Sequence, residues 1–221
     1  MRLFYYAANA AMKALLIALT RWQVEGKENV PRKGPLIIVA NHMTYVDPPL
    51  LGASVPRRIT FMAKQELFRP SLMGIVVRAY GAFPIRRDKL DREALRQAFG
   101  LLNKGQVLGM FPEGKRSFPY HLQEMQPGTA FIAARSGVPI IPVGISGSEQ
   151  VKGLGFILHR PHITVRIGRS FTLPSGENNR LNRPGLSQHS SLIMKRIAEL
   201  LPNTYLDSHN FPDDMRSSNE N

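Results

Sequence analysis

Residues 35–49 read PLIIVANHMTYVDPP. The apolar run Pro35–Ala40 has the length and branched-residue content of a strand, and it opens directly into a polar segment that carries Asn41, His42 and Asp47. Open α/β sheets take their ligands at the carboxyl ends of their strands, so this histidine and this carboxylate sit where such a fold places chemistry. Asp47 followed by Pro48 also reads as a helix N-cap with proline at the first helical position, which gives the carboxylate a purely structural alternative.

Outward from this stretch, short runs rich in Val, Ile and Phe alternate with helix-length segments. Strands are expected at 35–40, 58–63, 82–85, 106–110, 139–145 and 162–167, and helices at 48–54, 70–80, 91–103, 127–136 and 186–201. This alternation predicts a single α/β domain with a central, largely parallel mixed sheet flanked by helices. Residues 22–201 form that domain, and 202–221, polar and with two prolines, read as a loose tail. Before it, residues 1–21 form an N-terminal helical segment. Its stretch 3–20 is mostly apolar, and Arg2, Asn9, Lys13 and Thr20 fall on an arc of roughly 40°, leaving a wide apolar remainder. Such a helix either lies in a lipid interface or packs on the protein's own core. It is too short and too interrupted to read as a membrane span, and no small-residue cleavage site marks it as a signal peptide.

At 221 residues the chain suits one catalytic domain. It has no cysteine, which excludes disulfides, thiolate metal sites and a covalent thioester on the protein. The formal charge of +13 calls for an anionic partner: nucleic acid, an anionic bilayer or a phosphorylated substrate. The surplus belongs to the middle of the chain, since residues 57–116 hold 13 Lys/Arg against 5 Asp/Glu. A nucleic-acid binder is disfavoured, because aromatic residues are not interleaved with the basic ones and no helix presents a dense basic face. His159 and His162 are a lone pair, and Gly153-Leu154-Gly155 lacks a third glycine, so no metal and no bound cofactor is expected.

The interval from His42 to Asp47 recurs between His209 and Asp214 in the tail, so spacing alone carries little. Position after a strand gives the first pair its meaning. A neutral imidazole removes a proton from an alcohol as it attacks a carbonyl, and a carboxylate fixes the tautomer and stabilises the imidazolium that forms. No serine nucleophile is evident, since Gly144-Ile145-Ser146-Gly147-Ser148 lacks the second glycine of a nucleophile elbow. Three further strand ends carry cations or a glycine turn: Lys64 closes one, Arg86 and Arg87 follow Gly81–Ile85, and Phe111-Pro112-Glu113-Gly114-Lys115-Arg116-Ser117 follows the strand at 106–110. Guanidinium groups hold phosphate bidentately, and Gly114 lets backbone approach a ligand. If these strands are parallel, His42, Lys64, Arg87 and Arg116 share one sheet edge. Glu113 either accepts a hydrogen bond from a substrate hydroxyl or holds Arg116 in place.

In that order these segments resemble the 1-acyl-sn-glycerol-3-phosphate acyltransferase family of glycerolipid acyltransferases. The resemblance rests on Asn41-His42 followed by Asp47, on the strand Phe83–Arg87, on FPEGKRS at 111–117 and on Val138–Val143, and it spans roughly residues 20–145. Lys115 stands where the family usually has threonine, and FPYHLQEMQPG after it is unfamiliar. The resemblance implies transfer of an acyl chain from acyl-CoA or acyl carrier protein, as cosubstrate, to the sn-2 hydroxyl of lysophosphatidic acid. His42 would be the base and Asp47 its partner; Lys64, Arg87, Glu113, Gly114 and Arg116 would hold the acceptor. Glycerol 3-phosphate, a lyso-ornithine lipid or another lysophospholipid are the alternative acceptors. A two-tailed product implies a peripheral or monotopic enzyme at a membrane, on its cytoplasmic face.

Overall fold

The computed structural model describes residues 2–86, 91–114, 125–153, 155–173 and 183–205. Its seven strands are β1 (Arg21–Glu25), β2 (Leu36–Ala40), β3 (Ile59–Lys64), β4 (Phe83–Ile85), β5 (Val107–Met110), β6 (Ile140–Ser146) and β7 (His162–Ile167). They form one sheet in the order β1-β7-β6-β2-β5-β3-β4. From β6 to β4 the strands are parallel; β7 runs antiparallel to β6, and β1 runs parallel to β7. The helices are α1 (Arg2–Leu19), α2 (Asp47–Ser54), α3 (Leu72–Ala79), α4 (Arg92–Asn103), α5 (Pro127–Ser136), α6 (Phe156–His159) and α7 (Arg183–Ala198).

The expected mixed sheet is therefore present, with each anticipated strand within a residue or so of its expected bounds. The addition is β1. Its sequence RWQVE alternates exposed and half-buried residues and is charged at both ends, so no apolar run announces it. Its backbone pairing with β7, more than a hundred residues away, decides its conformation.

β2 is buried at all five positions because it lies at the centre with helices on both faces. Leu36, Ile38 and Ala40 join the core beneath α1 and α2, whereas Ile37 and Val39 join the one built with α4, α5 and α7. Thus the helix that follows β2 covers one face, and the helix that follows β5 covers the other. Where the helices that follow two neighbouring strands lie on opposite faces, open α/β sheets form their ligand crevice at the carboxyl edge, here between β2 and β5.

α1 belongs to this core. Tyr5, Asn9, Leu16 and Thr20 face inward, and the Tyr5 hydroxyl accepts a hydrogen bond from the Ile59 amide at 3.0 Å. Burial pushes the Tyr5 phenol above its ordinary pKa and that of neighbouring Tyr80 up to about 12, so both stay protonated donors and acceptors. The polar arc of the sequence reading is turned partly toward the protein: Asn9 and Thr20 are buried, and Leu3, Phe4, Leu15 and Ile17 face outward. Asn9 fills the space beside Gly52 of α2, and the Thr20 hydroxyl donates to the Leu16 carbonyl at 2.6 Å. At the other end of the chain Tyr205 is buried, donating to Glu149 at 2.9 Å and accepting from the Gly147 amide at 3.0 Å. The first residues of the expected 202–221 tail thus lie against the domain, and 206–221, with His209 and Asp214, fall outside the described residues.

Two stability outcomes follow from these contacts. Tyr5→Phe removes only an oxygen but strands the buried Ile59 N–H, so denaturant melts should show a loss of about 1–3 kcal/mol. Asp91 caps α4 by accepting from Ala94 at 3.1 Å and also accepts the Arg86 amide at 2.9 Å. The Arg86 and Ala94 amides, with the Arg86 guanidinium, hold its carboxyl below the usual 3.8. A depressed carboxylate stabilises the fold above its unfolded pKa and loses that contribution as pH falls through the lower folded value. Asp91→Ala should therefore cost about 1 kcal/mol at neutral pH, and its melting-temperature gap from the parent should close as the pH falls below about 4.

Candidate active site

The segment after β2 cannot continue the ladder and instead folds around one carboxylate. Asp47 is fully buried; its Oδ2 accepts the Met43 amide at 2.6 Å, the Thr44 amide at 2.7 Å and the His42 ring at 2.9 Å. Thr44 Oγ1 donates to Oδ1 at 3.1 Å. A carboxylate accepts at this contact, so a neutral His42 ring carries its proton on Nδ1, the nitrogen in contact, and has its lone pair on Nε2. The alternative reading of Asp47 as cap of the next helix does not hold: the N-cap is Val46, Asp47 occupies the first helical position, and its oxygens reach back to 42–44 rather than forward into α2. Its place in the first turn still favours the negative charge.

Asn41 fixes where the loop starts. Its side-chain amide donates to Ile145 O and accepts from Ile145 N, both at 2.8 Å, mimicking one more peptide of the β2–β6 ladder. Across the crevice, fully buried Glu113 takes the His42 backbone N–H on Oε1 at 3.0 Å. The imidazole lies on Phe111, with ring centroids 4.3 Å apart, and Phe111 stacks in turn near Phe61 at 6.0 Å. The His42 ring is thus held at Nδ1, at its backbone and on one face, with its side chain 16% exposed.

The turn after β5 closes with the Gly114 amide donating to Phe111 O at 3.1 Å. Gly114 has φ +70°, and a Cβ there would meet Gln126 at 2.6 Å, so glycine is required by both backbone and space. Lys64 ends β3 on the same edge as His42, half exposed, with its ammonium 3.1 Å from Glu66. Such a surface pair is weak and leaves the ammonium able to exchange partners. Arg86 follows β4, the neighbouring strand, and is tied back to Asp91. Arg87 and Arg116, the other two cations expected at this edge, lie outside the described residues. Ser148 is fully buried, which removes it as a nucleophile open to substrate. His162 pairs with Arg21 at 2.9 Å where β7 and β1 begin, and among the described residues no cluster of three or more His, Cys, Asp or Glu is placed to hold a metal.

Sequence reasoning named His42, Asp47 and Glu113 but gave no structural role to Asn41, Thr44 or Phe111. Their functions need partners far away in the chain or a turn of exact shape, although Asn41 and Phe111 stood inside the motifs that carried the resemblance. What the arrangement offers chemically is a histidine oriented as a proton acceptor at the mouth of a crevice, with Lys64 nearby at the same edge.

A family model described as Acyltransferase matches residues 21–146. The chain is 29% identical over 194 residues to the 1-acyl-sn-glycerol-3-phosphate acyltransferase of Streptococcus pneumoniae, covering 84% of this chain and 70% of that one. To the Bacillus subtilis protein of the same name it is 29% identical over 153 residues, covering 69% and 75%. It is 34% identical over 134 residues to the lyso-ornithine lipid O-acyltransferase of Pseudomonas aeruginosa, covering 60% and 51%. Among solved structures, the 1-acyl-sn-glycerophosphate acyltransferase of Thermotoga maritima matches with a TM-score of 0.65 over 89% of this chain and 79% of that one. At 23% identity that likeness is one of fold.

The hydrogen-bond pattern sets an expectation for the ring itself. Nitrogen-resolved NMR of the neutral side chain should find His42 protonated at Nδ1 and bare at Nε2, and Asp47→Ala, which removes the acceptor, should abolish that preference.

Proposed function

The chain belongs to the acyltransferase family, and we propose that it moves a fatty acyl chain from acyl-CoA or acyl carrier protein to the sn-2 hydroxyl of 1-acyl-sn-glycerol 3-phosphate, giving phosphatidic acid. The observation that carries the mechanism is the 2.9 Å contact between His42 Nδ1 and the buried Asp47, which leaves Nε2 as a base. Nε2 takes the proton of the acceptor hydroxyl as its oxygen attacks the thioester carbonyl. The tetrahedral adduct collapses, the carbon–sulfur bond breaks, and the thiolate recovers the proton from the imidazolium that Asp47 stabilises. No covalent acyl-enzyme is needed.

In this reading Lys64, Arg87 and Arg116 neutralise the acceptor phosphate beside the Gly114 turn, and Glu113 holds the His42 backbone in register across the crevice. The relatives of that name in Streptococcus and Bacillus support the acceptor assignment. The higher identity to the lyso-ornithine enzyme, over a shorter stretch, supports a second acceptor that lacks the phosphate. The enzyme acts as a peripheral or monotopic membrane protein at the cytoplasmic face. No helix among the described residues is long and apolar enough to cross a membrane, and the outward apolar face of α1 supports attachment at the surface.

The test is turnover of labelled acyl donor by the purified chain against lysophosphatidic acid, glycerol 3-phosphate and lyso-ornithine lipid. Product from lysophosphatidic acid is expected, and failure on that acceptor alone would refute it. His42→Ala should lower kcat by about 10²–10⁴-fold in a folded protein, and Arg116→Ala should act mainly on KM for the acceptor. A His42→Ala protein of near-normal turnover would refute the mechanism.

A further inference from the structure

Apart from Leu3, Phe4 and Tyr6 at the start of α1, the exposed large apolar side chains gather around one edge of the sheet. β2, β3 and β6 end at the edge that holds His42; β7, antiparallel to β6, starts there, and so does β1. The end of α1, the start of α3 after β3 and the connection from β6 to β7 that carries α6 therefore lie around the crevice. From these three segments Leu15, Ile17, Leu72, Ile75, Ile157 and Leu158 project into solvent, with Leu72 80% and Leu158 86% exposed. Tyr45, in the His42–Asp47 loop itself, is 49% exposed. Scattered apolar residues are ordinary on a surface, but a set ringing a site marks an interaction surface.

Cations alternate with these residues. Arg69 and Arg78 flank the Leu72–Ile75 pair at helical spacing, Lys152 and Arg160 bracket α6, and Lys13 and Arg21 flank the end of α1; all six are exposed. Arg160 also joins two of the segments, donating to Ile17 O at 3.1 Å and Thr20 O at 3.4 Å. It does so at φ +43°, the one positive φ outside glycine among the described residues. A non-glycine residue in that region is strained, and such strain persists where the surroundings fix the conformation. It holds α6 against the carboxyl end of α1.

We propose that this rim is a bilayer-docking surface. Leu72–Ile75 and Ile157–Leu158 enter the headgroup–acyl boundary of an anionic phospholipid bilayer alongside the end of α1, and the interspersed cations bind the headgroups. The His42 crevice then opens directly onto lipid. α1 alone would anchor the protein without fixing its orientation, whereas three apolar segments around the crevice fix it. The inference rests on the membrane-lipid acceptor proposed above.

The chain has no cysteine, so single cysteines label uniquely. Ile17→Cys, Ile75→Cys, Leu158→Cys and, at the opposite sheet edge, Asn103→Cys would each carry a polarity-sensitive fluorophore. On addition of vesicles of phosphatidylcholine mixed with phosphatidylglycerol, the labels at 17, 75 and 158 should shift to the blue and the label at 103 should not. Leu158→Ser combined with Ile75→Ser should weaken vesicle partitioning by about tenfold with an unchanged melting temperature. A shift confined to position 17, equal shifts at all four positions, no shift at any, or unaltered partitioning of the double variant would each overturn the rim. The readout needs no acyl donor, so a chain that docks as stated yet ignores lysophosphatidic acid would refute the acceptor and leave the docking surface standing.

Discussion

A buried carboxylate without partners is untenable, and the region around the crevice is shaped by how Asp47 meets that constraint. Four donors converge on it from three consecutive residues, 42–44. Gathering two amides, a hydroxyl and an imidazole around one group leaves the loop little freedom, so the demand that stabilises the charge also sets the orientation of His42. Electrostatic satisfaction and the positioning of a base are here the same set of hydrogen bonds.

The loop would still wander were its ends not fixed. Asn41 extends the β2–β6 ladder with its side chain, and Glu113 reaches from the turn after β5 to the His42 amide. Both neighbours of β2 therefore hold it at its carboxyl end. Because α2 and α5 leave on opposite faces, these clamps stand on either side of a gap rather than under a helix. Phe111 adds an apolar floor that the ring lies against, which keeps Nδ1 toward Asp47.

α1 shows the reverse of ordinary amphipathic packing. Its inward side includes Asn9 and Thr20, and its outward side is apolar, interrupted by Lys13. In water such an arrangement leaves hydrophobic surface exposed; against an apolar or interfacial medium it is the favourable one. Tyr5, bonded to the first amide of β3, makes the helix part of the domain, so any medium that meets its outer face meets the enzyme as a body.

The sequence by itself determined the alternation of elements and thus the α/β class, because burial on both faces writes β2, β5 and β6 as apolar runs that need no context. It also determined that His42, Asp47, Lys64 and Glu113 stand at or just after strand ends, since position along the chain is a local property. Three things were decided only in tertiary structure. β1, with polar ends and no apolar run, exists because β7 offers it a pairing edge. Asp47 serves His42 rather than capping α2 because the direction of a short side chain depends on how the loop folds back, which no spacing encodes. And Glu113 reaches the His42 backbone because β5 lies beside β2 in the sheet, although 71 residues separate the two along the chain.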